Sequence, residues 1–129
     1  MWDVLLTLFL SLCWLPSSFA QQMNAQDSPC ANIAVTSDLV NCNWKAKISS
    51  EKKLNALYKE ILNKLDQDEA KHLTAAQNLW VRYRDANCEA ERELYGLGTG
   101  RQPAYLACLE TMTRERTEEL RVTYALRLK

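Results

Sequence analysis

Apolar residues recur along three stretches of this chain at offsets of three and four, the spacing that gathers side chains on one face of an α-helix. The central stretch runs from Leu73 to Cys88, without Pro or Gly, and places Leu73, Ala76, Trp80 and Tyr83 on one side. Trp80 sits mid-helix, where a large ring can anchor neighbouring helices. Arg84 follows one turn later, so its guanidinium is expected to lie along the indole while its charge stays wet. The first stretch, after a cap at Thr36 or Ser37, runs to about Leu65 with Leu54, Leu57, Tyr58, Ile61 and Leu65 as its stripe. Lys52, Lys53, Lys59, Glu60 and Lys64 face water. Ile48-Ser49-Ser50 is a candidate kink or second cap. The third runs from about Ala104 to Leu126, with Tyr105, Leu109, Met112, the stem of Arg116, Leu120 and Tyr124 along one side. Arg114, Glu115, Glu118, Glu119 and Arg121 are expected on its solvated outer face.

The breaks between stretches fix the topology. Asp66-Gln67-Asp68 interrupts the first pattern, and Asp68 or a neighbour can cap the next helix. So short a connection makes helices one and two antiparallel. Gly96-Leu97-Gly98-Thr99-Gly100-Arg101-Gln102-Pro103 holds all three glycines of the chain and reads as a loop, with Pro103 in the first turn of helix three. A phosphate-binding glycine loop follows a strand, whereas this one follows a helix and lacks the Lys-Ser/Thr pair. The fold class is therefore all-α, an antiparallel three-helix bundle: a helical hairpin plus a third helix. The core positions are Leu54, Tyr58, Leu73, Trp80, Leu109 and Leu120.

The N-terminus changes this picture. Val4 to Leu15 is almost unbroken apolar sequence, and Ser18-Phe19-Ala20 offers the small residues a signal peptidase reads, so cleavage is expected after Ala20. The leader carries Asp3 and no Lys or Arg, a departure from the usual basic start. The apolar run is too short to anchor in a bilayer. The expected organisation is a signal peptide over residues 1–20, a flexible segment over 21–35 and the helical domain over 36–129. The destination is the periplasm or the exterior, with no stable membrane insertion after cleavage.

Cleavage removes Cys13 and leaves Cys30, Cys42, Cys88 and Cys108, an even count that in an exported small domain reads as two disulfides. Cys42 lies 23 residues before Leu65, and Cys88 lies 19 residues after Glu69. At about 1.5 Å per residue their levels differ by roughly 6 Å. With Cys108 just past the glycine loop, all four thiols gather at the loop end. Cys88–Cys108 with Cys30–Cys42 would clamp the loop base and close the N-terminal segment; Cys42–Cys88 with Cys30–Cys108 competes.

Charge and chemistry exclude more than they assign. The chain has 16 basic and 16 acidic residues, so no strong field draws it to nucleic acid. His72, the only histidine, stands near a turn without a partner for catalysis. No metal-ligand spacing occurs. No enzymatic role, cofactor or metal is expected, and the function is expected to be protein binding.

One resemblance sharpens that reading. Leu54-Asn55-x-x-Tyr58, Leu73-x-x-x-Gln77-x-x-Trp80-x-x-x-Arg84-Asp85-x-x-Cys88, the glycine loop, Cys108 and Arg116-x-x-x-Leu120 resemble the LprI-type lysozyme-inhibitor family of small exported helical domains. Glu51 stands where that family usually has Asp. The resemblance implies an envelope setting and inhibition of lysozyme, a glycosidase with two carboxylates in a cleft. The candidate contact is the glycine loop, with Thr99 and Arg101 at its tip. The alternative is a non-inhibitory adaptor or structural module of the envelope.

Overall fold

The computed structural model describes residues 22–129; the leader, its cleavage site and Cys13 lie outside them. Among the described residues there are three α-helices and no strand: α1 (Thr36–Leu62), α2 (Gln67–Glu93) and α3 (Arg101–Thr123), preceded by a 3-10 turn at Gln22–Asn24. The helix starts differ in how they are made. Asp66, one position before α2, accepts from the amides of Asp68 and Glu69, while the Glu69 carboxylate takes the Asp66 amide. This reciprocal pair satisfies donors that a helix start otherwise leaves open. The expected Thr36 or Ser37 cap does not form: α1 begins at Thr36, after Val35, with no side-chain cap. Nor does α1 restart at Ser49-Ser50, where the helix runs on unbroken. The Ser50 hydroxyl turns instead to α3 and donates to Glu110 at 3.0 Å.

α3 is the helix on which the others pack. It lies along both α1 and α2, and it also carries the Gln22–Asn24 turn. Cross-links fix the directions. Ser50 meets Glu110 and Leu54 and Ile61 meet Leu120, so α1 and α3 run parallel. Cys88 meets Cys108, Arg84 meets Thr113 and Gln77 meets Arg116, so α2 and α3 run antiparallel. Lying between two helices, α3 has two buried faces. The expected stripe supplies one of them. The other, with Pro103, Ala107, Glu110 and Thr117, is too small and too polar for apolar periodicity to reveal.

Three levels follow along the bundle. Next to the α1–α2 turn, Leu54, Ile61, Leu73 and Leu120 form a dry core, with Tyr58, Trp80, Tyr124 and Leu128 packed around it. At the far end, Cys88, Cys108 and Leu109 form a second cluster with Tyr105 and Met112. Between them lies a polar belt. Arg84 is buried, donates to Thr113 Oγ1 at 3.1 Å and to Asp85, and stands 3.5 Å from Glu51 of α1. Its guanidinium does lie over Trp80, 5.3 Å from the ring centre, but its charge is held among protein partners rather than in water. The Arg116 guanidinium is also over Trp80, at 5.8 Å, and its Nε donates to the buried Gln77. Ala76 and Tyr83, expected beside Trp80 on the packing face, point to solvent. The buried stripe of α2 is Leu73, Gln77, Arg84 and Cys88.

Candidate functional site

The glycine loop joins α2 to α3 at the end where the sulfur atoms gather. Cys88–Cys108 joins α2 to α3 below the loop, and Cys30–Cys42 ties the N-terminal segment to α1, with Cα–Cα distances of 5.5 and 6.0 Å. The pairing left open by the cysteine spacing is thus the one that clamps the loop base. Where a fraying tail is expected before Cys30, Asp27 pairs with Arg114 at 3.3 Å.

Local geometry shapes the loop. Gly96 takes a positive φ of 53°, a conformation side chains with a Cβ rarely adopt. Gly100 lets the Tyr95 ring lie against the backbone, where a Cβ would come within 2.8 Å of it. Burial, reinforced by Glu91, pushes the Tyr95 phenol above its ordinary pKa. Gly98 donates to Tyr95 and Arg101 donates to Gly98, through backbone bonds of 2.9 and 3.2 Å.

Arg101 closes the loop. It is the first residue of α3, and its guanidinium donates to the Gly96 carbonyl at 2.8 Å and pairs with Glu93. The arginine expected at the tip therefore holds the loop by its two ends. Thr99 is exposed at the tip, and the amides of Leu97, Thr99 and Gly100 make no backbone hydrogen bond to a described residue. Leu97 stands fully exposed, and Leu94 nearly so. Sequence reasoning passed over both leucines because neither belongs to a periodic stripe. The available signal was an isolated large apolar residue between two glycines, where no packing partner is within reach.

A second concavity, ≈ 740 Å³, runs between α1 and α3 and is lined by Asp27, Ser50, Lys53, Glu110, Arg114 and Arg121 among others. Glu110, buried at its floor, accepts from Ser50 and from Arg114 Nε at 3.1 Å. Burial acts to lower the Arg114 pKa, and the carboxylates of Glu110 and Asp27 more than reverse this. Arg114 is thus half inside this groove rather than on a solvated outer face. The remaining predicted positions fall in the core: Leu54, Leu73, Leu109 and Leu120 are buried, while Tyr58 and Trp80 are partly buried against the cluster of Leu54, Leu73 and Leu120. His72 is exposed. Among the described residues no group of three His, Cys, Asp or Glu could hold a metal ion, and no helix is long and apolar enough to cross a membrane.

Parallel and antiparallel helices around a central α3, a glycine loop clamped by Arg101 and two disulfides at that end of the bundle define a class: small sulfur-stapled helical domains. Residues 27–120 match the family described as lysozyme inhibitor LprI. The match covers most of the chain, which belongs to this family. No curated protein and no solved structure matches it.

Proposed function

We infer that this is an exported cell-envelope protein that works by binding another protein, and that the partner is a lysozyme whose substrate cleft receives the glycine loop. The observation that carries this reading is the loop itself: a fully exposed Leu97 beside Thr99, on a backbone held by Cys88–Cys108 and the Arg101 clamp. A segment fixed before contact loses little conformational entropy on binding. The open amides and the Thr99 hydroxyl offer donors to cleft carboxylates, and Leu97 offers an apolar contact. In this reading Thr99 touches the partner and Arg101 keeps the loop in shape. The two disulfides support an oxidising compartment, and the apolar start with Ser18-Phe19-Ala20 supports export into it.

With Asp3 leaving in the leader, 16 basic residues face 15 acidic ones, a balance that gives no long-range steering toward a basic lysozyme. That observation favours the second reading, a non-inhibitory envelope adaptor. The deciding experiment is a titration of oxidised protein against c-, g- and i-type lysozymes while cell-wall lysis is followed. Inhibition that weakens with Leu97→Ser supports the inhibitor. Undiminished lysis at micromolar protein leaves the adaptor. Mass spectrometry of native material tests export: a start at Gln21 with no free thiol is expected, and an uncut start overturns it.

A further inference from the structure

α2 carries a second apolar stripe that no described residue covers. Ala76, Leu79, Tyr83, Ala86 and Ala90 are all exposed, Leu79 at 65% and Tyr83 at 61%. Their offsets are three, four, three and four, the repeat that makes a straight seam for a second helix. The seam spans 15 residues, 14 steps and about 21 Å at 1.5 Å per residue. It lies on the side of α2 away from Leu73, Gln77, Arg84 and Cys88, so it adds nothing to the domain's own core.

We propose that this seam pairs with the same seam of a second copy of the chain, the two α2 helices running antiparallel. Three of its five positions are alanine, which lets two backbones approach closely, and Leu79 and Tyr83 of one copy then cover Ala90 and Ala86 of the other. The register that stacks Leu79 on Ala90 and Tyr83 on Ala86 is symmetric, as a two-fold dimer requires. It also places Arg82, which flanks the seam, beside Glu89 of the second copy, and two-fold symmetry makes that pair twice. Arg82 is exposed and has no ion pair or hydrogen bond with a described residue. Glu89 is half-exposed and shares its carboxylate only with Arg92 one turn on. The parallel arrangement is disfavoured, because it would stack Tyr83 on Tyr83 and leave the alanine layers facing each other as gaps. A seam of four helix layers is small beside the roughly 1,200–2,000 Å² that stable interfaces bury, so the association is weak and concentration-dependent.

Sedimentation of the oxidised protein from about 10 micromolar to about 1 millimolar reads this out, a range that brackets weak binding. The average mass is expected to climb toward twice the monomer's. Leu79→Asp and Tyr83→Glu, both at exposed positions, should each hold it at the monomer with helical content and melting temperature unchanged. Arg82→Glu alone and Glu89→Arg alone should each weaken association severalfold, and the double exchange should restore it. A monomer at every concentration overturns the proposal. So does association that survives Leu79→Asp, or one that the double charge exchange fails to restore. Lysozyme inhibition at protein concentrations far below self-association is a separate readout, so neither result decides the other.

Discussion

At the end next to the α1–α2 turn, the helices are held by carbon: Leu54, Ile61, Leu73 and Leu120 are almost wholly excluded from water, and no covalent link is present there. At the glycine-loop end the apolar cluster shrinks to Leu109 with Tyr105 and Met112 around a disulfide, and sulfur takes over. The connections explain the division. Asn63–Asp66 is short enough to keep the joined ends of α1 and α2 together by itself, whereas the longer loop would leave the ends of α2 and α3 free to separate. A chain of this size has too little interior to seal both ends with leucine. Cross-linking the looser end removes freedom from the unfolded chain and also stiffens the segment with exposed amides and Leu97.

The sharpest way to break this contrast is to attack the carbon end. Ile61→Ala or Leu120→Ala should cost about 2–5 kcal/mol in chemical denaturation, with the larger losses where the cavity cannot collapse. Next comes the sulfur end: replacing Cys88 and Cys108 by Ser should cost about 2–4 kcal/mol. It should also weaken any lysozyme inhibition, while Leu120→Ala should leave inhibition intact so long as the protein is folded. In the belt between the ends, Arg84→Met removes the partner of Thr113 and Glu51 and should cost about 1–3 kcal/mol, by the same denaturation measurement. Leu97→Ser should change stability by less than about 0.5 kcal/mol, as surface replacements do, and lower affinity for the partner. The smallest effect concerns Tyr95. Its phenol is held above its ordinary pKa by burial and then by Glu91, so the folded chain keeps a proton that the unfolded chain loses. The stability tied to that proton is present below about pH 10 and declines as pH rises beyond it. Tyr95→Phe should flatten the decline in melting temperature between neutral and strongly alkaline buffer.

Much of the fold was legible because it rests on apolar repetition. Leu54, Leu73, Leu109 and Leu120 announce their burial by spacing, and the turn at Asp66 and the glycine run announce the ends. What escaped was carried by polar groups. Arg84, Gln77, Glu110 and Thr113 are buried through partners on other helices, and hydropathy alone cannot mark a residue whose burial depends on a contact far away in sequence. Ala76 and Tyr83 show the converse. Small and aromatic residues at helical spacing satisfied the periodicity, yet the mid-helix packing face was taken by Gln77 and Arg84. At the loop, the glycines predicted a turn and said nothing of the clamp across it, because the Arg101 contacts depend on where Glu93 and the Gly96 carbonyl end up.

The central place of α3 bears on the order in which the protein can be made. It is the last helix in the chain, yet both others settle mainly on it. A polypeptide growing from its N-terminus therefore carries α1 and α2 without their common support until residue 101 onward has been delivered.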